Sequence, residues 1–185
     1  AVQRAAASYT KRRFGKMVEP TAAANNHAGV LVAMGALETA VGKGWNKLDP
    51  TLRFLAQEVA AARIGCSWCI DYGYYEGMHD GLDPAKVRAA LSWRESDLFS
   101  DLERAVCEYT EAATAQPVAV TDELMARLHA HLSDAEIVEL AAWVALENVR
   151  SRFNGGLGLR SQGFAETCEL PPLQPLDEAD AKSVG

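Results

Sequence analysis

Two cysteines separated by two residues, Cys66 and Cys69, are the feature of this chain best suited to chemistry. They lie in Ile64-Gly65-Cys66-Ser67-Trp68-Cys69-Ile70-Asp71. On a helix, residues three apart share a face, so the two thiols are close enough for a disulfide. Gly65 stops the preceding apolar stretch, and the pair therefore falls at the start of the next helix. A helix start offers unpaired N–H groups and a partial positive charge, both of which favour thiolate over thiol. The pair reads first as a redox dithiol. Two small buried cysteines are the plain alternative. A metal site is the third, but it would need His79, Cys107 or Cys168 to converge on the pair, and none stands at a ligand-like spacing. No metal is therefore expected.

Other polar residues are weaker candidates. His79 lies ten positions beyond Cys69, between Gly77 and Gly81, and reads either as a group reaching back to the dithiol or as a surface turn residue. Asp71 can hydrogen-bond a water near Cys69, or sit at the surface as a cap. Trp68 can shield the disulfide and form an apolar entrance, or serve core or subunit packing. Tyr72, with Tyr74 and Tyr75, can line a pocket or pack. His129 and His131 point to different sides of a helix and read as surface groups. Cys107 and Cys168 lack a local partner and read as structural.

The elements that must position these residues are all helical. The chain has 185 residues, of which 49% are hydrophobic and 23% charged, a balance that supports one globular domain. Val30, Leu31, Met34, Leu37 and Val41 form a helical stripe over about residues 26–41. Asp49-Pro50 caps a second helix, with Leu52, Leu55, Ala56 and Val59 as its buried face, ended by Gly65. A third runs from Cys66 to about Met78. Asp83-Pro84 opens a short helix through Leu91. Ser100-x-x-Glu103 is a capping box for the next, which Pro117 breaks. Thr121 starts a helix through Leu132. Ser133-x-x-Glu136 opens a long final helix, in which Ile137, Leu140, Ala141, Val144 and Asn148 share a face and the glycines at 155, 156 and 158 mark the end. The chain divides into a basic arm over residues 1–20, a domain over 21–165 and an acidic, Pro-containing tail over 166–185.

The net charge of −7 argues against a general nucleic-acid footprint. The basic arm reads as a solvated segment or a strap onto a neighbouring subunit, ahead of a binder of an anionic partner or membrane surface. No apolar run is long enough to span a bilayer, and the first residues lack the apolar centre of a secretory signal, so a cytoplasmic protein that binds neither nucleic acid nor membrane is expected.

The segment Leu48-Asp49-Pro50 … Arg53 … Gly65-Cys66-Ser67-Trp68-Cys69-Ile70-Asp71 resembles the carboxymuconolactone decarboxylase family, in its alkyl hydroperoxidase D-like branch. Leu132-Ser133-Asp134-Ala135-Glu136-Ile137-Val138-Glu139-Leu140, Arg152-Phe153-Asn154 and Gly158 are similar to the end of that family's domain. The resemblance covers roughly residues 26–165. It implies an all-α domain of about six to eight helices, assembled as a homo-oligomer (dimer, trimer or hexamer). It also implies peroxiredoxin-type activity: a thiol-dependent peroxidase or disulfide reductase whose redox-active group is the Cys66–Cys69 disulfide, with no other cofactor. By position, Cys69 is the nucleophile and Cys66 the resolving thiol. The substrate is then a small peroxide or disulfide, and a thiol or partner protein is the reductant.

Two positions depart from the family pattern. The histidine four residues after the second cysteine is Gly73 here, and the glutamate twelve residues before the first is Phe54. Glu58, one turn after Phe54, is the proposed substitute base; its alternative is an exposed or ion-paired glutamate. Two other functions compete: a lyase or isomerase acting on a small lactone or carboxylate, with Arg53 or Arg63 as anchor and Glu58 as base, and a non-catalytic redox-sensing oligomer.

Overall fold

A computed structural model describes residues 2–168. Every regular element among them is helical. They group into two compact units, residues 2–46 with 157–159, and residues 47–156 with 160–168.

In the first unit, the expected arm is a helix, α1 (Val2–Phe14), followed by α2 (Glu19–Ala24). Pro20 sits in the first turn of α2, where its missing N–H costs nothing. The third helix, α3 (Ala28–Gly44), matches the expected element closely, but its stripe does not behave as expected. Of its members only Val41 is buried; Val30, Leu31 and Met34 are half-buried and Leu37 is exposed. Periodicity reveals which residues share a face, not whether that face has a partner within the chain.

The second unit holds the dithiol. Its central element is α4 (Pro50–Ile64), capped by Asp49, whose side chain accepts the N–H groups of Thr51 and Leu52. Eight of its residues are buried, Leu55, Ala56 and Ala60 completely, because neighbouring helices enclose it. Gly65 ends it at φ 83°, a left-handed conformation that favours glycine. The entry to α4 is held from the other end of the chain: Glu139 accepts the backbone N–H groups of Lys47 at 2.8 Å and Leu48 at 3.1 Å.

α5 (Ser67–His79) follows the dithiol turn, and α6 (Pro84–Ala89) starts at the Asp83 cap. The helix expected to reach Leu91 finishes as a 3₁₀ turn over Ala90–Ser92. α7 (Asp101–Thr114) has the full capping box between Ser100 and Glu103. α8 (Asp122–His129) is capped by Thr121. α9 (Asp134–Gly156) begins where Ser133 and Glu136 exchange hydrogen bonds. α4 packs against α5, α7 and α9, and α5 also packs against α9.

Nine α-helices and two 3₁₀ turns lie among the described residues; α3 to α9 supply seven helices to the expected domain of about six to eight, and α1 and α2 come from the amino-terminal arm and its junction. The second 3₁₀ turn covers Ala165–Cys168. The tail beyond residue 168 lies outside the described residues. Among the described residues, no helix is long and apolar enough to cross a membrane.

Candidate active site

Cys66 and Cys69 are joined as a disulfide, with Cα atoms 5.3 Å apart. Cys66 is the N-cap of α5, and its Sγ accepts the Cys69 backbone N–H at 3.2 Å. The helix start is thus capped by sulfur, and the cap brings the two sulfurs together. Both residues are buried, at 2% and 7% exposure. On the other side, Asn154 of α9 donates from Nδ2 to Cys69 Sγ at 3.3 Å. Each sulfur therefore faces one N–H donor.

Glu58 is among the most enclosed polar residues, at 1% exposure. Its Oε2 has no hydrogen-bond partner. The sequence explains where the carboxyl goes. A Cβ placed on Gly73 would stand 1.6 Å from Glu58 Oε1 and 2.8 Å from its Cδ. The carboxyl of Glu58 therefore fills the space that a side chain at position 73 would take. Gly73 is one helical turn past Cys69 on α5, a spacing that puts neighbouring Cβ positions about 5–6 Å apart. The acid thus lies on the dithiol face of α5.

Burial, then the nearby carboxylates of Glu147, Glu76 and Asp71, raises the pKa of Glu58 well above the usual carboxylate range. Glu147 is also buried, but it accepts from the Ser151 hydroxyl at 2.7 Å and faces Arg150 at 3.5 Å. Glu147 thus has a cation and a hydroxyl donor beside it, whereas Glu58 Oε2 has no donor. Tyr74, also buried, is shifted up by its burial and by Glu58.

A second face of α5 carries Trp68, Tyr72, Tyr75 and His79. Trp68 stacks on Tyr72 with centroids 5.0 Å apart, and Phe164 meets Trp68, Tyr72 and Tyr75 edge-on at 6.2, 5.4 and 5.5 Å. Trp68 and Tyr72 thus form an aromatic cluster with Phe164. Residues 161–165 are laced to this helix. Asp71 accepts the N–H groups of Gln162 at 2.8 Å and Ala165 at 2.7 Å. Trp68 Nε1 donates to Gln162 Oε1 at 2.9 Å, and the Ser67 hydroxyl accepts the Ser161 N–H at 3.3 Å. Asp71 is thus a buried anchor for residues 162–165, not a surface group.

The remaining candidates are not brought to the dithiol. His79 sits at the far end of α5, about 15 Å along its axis from Cys69. It is exposed, its Nδ1 2.8 Å from the Tyr75 carbonyl oxygen. Arg53 is paired with Asp80 at 2.8 Å, and Arg63 is exposed near the opposite end of α4. The two arginines thus do not converge beside Glu58. Cys107 is fully buried in α7, and burial pushes its thiol pKa upward. No group of acidic, histidine or cysteine side chains among the described residues is arranged to hold a metal ion.

Asn154 is the site residue that the sequence stripe omitted. A signal was present. Along α9, positions 137, 140, 144, 147, 151 and 154 alternate by three and four and are all buried. The first three are Ile, Leu and Val; the last three are Glu, Ser and Asn. A core-facing stripe that turns polar marks a helix passing from packing into a site.

The sequence profile of the carboxymuconolactone decarboxylase family matches residues 22–112. The uncharacterised protein YnjA of Escherichia coli K12 is 35% identical over 133 residues, which are 69% of this chain and 71% of that protein. Among solved structures, the apo form of the debrominase Bmp8 superposes with a TM-score of 0.77 over 95% of this chain and 90% of its own, at 18% identity. An Agrobacterium tumefaciens protein of unknown function, ATU0492, described as a putative antioxidant defence protein AhpD, superposes at 0.68 over 75% of this chain and 94% of its own, at 28% identity. With this sequence match, this fold and a Cys-x-x-Cys turn at the head of a buried helix, the chain belongs to the carboxymuconolactone decarboxylase family.

Proposed function

We propose that the protein is a thiol-dependent oxidoreductase of the peroxidase or disulfide reductase type, with Cys69 as nucleophile, Cys66 as resolving thiol and Glu58 as the proton-transfer group. The observation that carries this reading is the buried Cys66–Cys69 disulfide one turn from a buried glutamic acid whose Oε2 lacks any hydrogen-bond partner. A carboxyl kept protonated by burial is suited to donate a proton to a leaving oxygen. In the peroxidase cycle the Cys69 thiolate attacks the distal oxygen of a hydroperoxide. The O–O bond breaks, and the leaving alkoxide takes a proton from Glu58. The Cys66 sulfur then attacks the Cys69 sulfenic acid, and its thiol proton goes to the departing hydroxyl, which forms the disulfide and releases water. An external dithiol or thiol protein supplies two electrons and two protons to restore the pair.

The test is intact-mass analysis before and after stoichiometric hydroperoxide, with and without dithiothreitol, alongside peroxide consumption. The expected result is reversible loss of two hydrogens in the native protein, a persistent sulfenic acid in Cys66→Ser and no turnover in Cys69→Ser. Full peroxide consumption by the double serine variant overturns the reading. Lactone turnover that survives loss of both cysteines favours a lyase, and the absence of any peroxide response favours a redox-sensing role.

We also infer self-assembly through the face of α3 that carries Ala33, Leu37 and Ala40, all exposed. Leu37→Glu is expected to lower the oligomer mass in sedimentation velocity; an unchanged mass rejects this face.

A further inference from the structure

We infer that Asn154 is a catalytic residue of this dithiol: its side-chain amide stabilises negative charge on Cys69 and so directs the reactive thiolate to Cys69 over Cys66. The inference rests on the thiol-oxidoreductase reading only for its consequence in turnover, and its geometry is independent of the substrate.

The two sulfurs compete for one negative charge. Cys66 has the advantage of position: it caps α5 and accepts a backbone N–H at 3.2 Å, next to the positive end of the helix. Left to the helix alone, Cys66 would be the stronger acid. Cys69 is inside the first turn, and its Sγ receives no N–H from its own helix start. The donor it does receive comes from 85 residues away, from Asn154 Nδ2 at 3.3 Å. Asn154 is 3% exposed, so this hydrogen bond forms where water competes little and counts for more than at a surface.

The rest of the surroundings oppose a charge on Cys69. Both sulfurs are buried, which disfavours a charge on either. Asn154 is a donor without a charge or a titrating proton. It can therefore stabilise a thiolate, and later a sulfenate, without protonating either. Its position on α9 continues the buried column of Glu147 and Ser151, so the same helix face meets both the acid and the nucleophile.

The test reads each cysteine separately. The reduced protein is alkylated with iodoacetamide over a pH series, and Cys66 and Cys69 adducts are quantified by peptide mass spectrometry. In the native protein Cys69 is expected to react faster than Cys66 at neutral pH. Asn154→Leu keeps the number of side-chain heavy atoms and the branch at Cγ but removes the donor. It is expected to slow Cys69 by about ten- to a hundredfold, the range set by a hydrogen bond to a charged group, and to leave Cys66 unchanged or faster. Asn154→Asp keeps the shape and replaces the amide by a carboxylate. It is expected to shift the Cys69 profile to higher pH still. A purely structural role for Asn154 would slow both cysteines together or neither. Cys66→Ser provides an arm that does not depend on the folding of any Asn154 variant. In it, Cys69 is expected to titrate below the ordinary thiol value of about 8.5 despite burial. A Cys69 that titrates above that value, or an unchanged Cys69:Cys66 ratio in folded Asn154→Leu, overturns the assignment. If the ratio shifts as expected while hydroperoxide is not consumed, the assignment stands and the peroxidase reading fails. If Asn154→Leu consumes hydroperoxide at the native rate, the assignment fails and the peroxidase reading stands.

Discussion

The packing of Glu58 against Gly73 makes a prediction about stability whose sign depends on the background. Gly73→Ala adds a single methyl group. In an ordinary helix interior this exchange stabilises by about 1 kcal/mol through backbone entropy. Here the new carbon would lie 1.6 Å from Glu58 Oε1, well inside any permitted contact. The carboxyl must turn away, and it has little room, since Glu58 is 1% exposed and has acids as neighbours. Overpacking of this kind costs about 1–3 kcal/mol. The net effect in the native background is therefore a loss of up to about 2 kcal/mol. In a Glu58→Ala background the obstacle is gone, and the same Gly73→Ala change is expected to stabilise by about 1 kcal/mol. The coupling between the two positions is then about 1–3 kcal/mol. Urea unfolding followed by circular dichroism, with all four proteins oxidised and at equal concentration, measures the cycle. Additive changes, within about 0.5 kcal/mol, would show that the carboxyl does not occupy the space at position 73.

Other consequences follow from the same geometry. The raised pKa of Glu58 means that the native state holds a proton that the unfolded chain releases in the usual carboxyl range. Its contribution is fully present below that range and is lost as pH rises through the native pKa; urea midpoints across neutral pH should therefore fall less steeply in Glu58→Gln than in the native protein. Glu58→Gln should also slow peroxide turnover by about 10²–10⁴-fold, the usual weight of a positioned acid, with Cys69 alkylation largely retained. Adding Gly73→His to Glu58→Ala should restore part of the turnover lost in Glu58→Ala, and no recovery in a folded double variant would refute functional exchange between the two positions. Asp71→Ala strands two backbone N–H groups and should lower stability by about 2–3 kcal/mol. Limited proteolysis should then cut near residues 160–165 first.

Local chemistry made much of this fold readable. Asp49-Pro50, Asp83-Pro84, Ser100-x-x-Glu103 and Ser133-x-x-Glu136 each start a helix, because a cap is completed within three residues. The cysteine turn was legible for the same reason, since Gly65 and Cys66 lie side by side. Contacts between distant segments were not. Asp71 reads as polar and local until the chain returns 91 and 94 residues later and gives it two backbone donors. Asn154 needed α9 to cross α5 before its amide had a sulfur to meet. The stripe on α3 failed differently: its pattern is helical, but the number of partners available to a helix is a property of the whole assembly.

Glu58 lies between these cases, and the reason is geometric. Phe54 and Glu58 are one turn apart on α4, and Gly73 and Gly77 are one turn apart on α5. The two pairs are matched across the helix contact. Glu58 fills the space over Gly73, and the Phe54 ring lies over Gly77, 2.9 Å from where its Cβ would be. A large residue at 54 needs a small one at 77, and an acid at 58 needs a small one at 73. The absent histidine and the displaced glutamate are thus not two independent losses. A histidine at 73 would collide with Glu58, and a glutamate at 54 is replaced by a ring that Gly77 accepts. The two helices keep an acid on the dithiol face by moving it one turn along α4 and clearing its place on α5. The sequence spacing alone allows Glu58 to face either inward or outward; Gly73 opens the inward site.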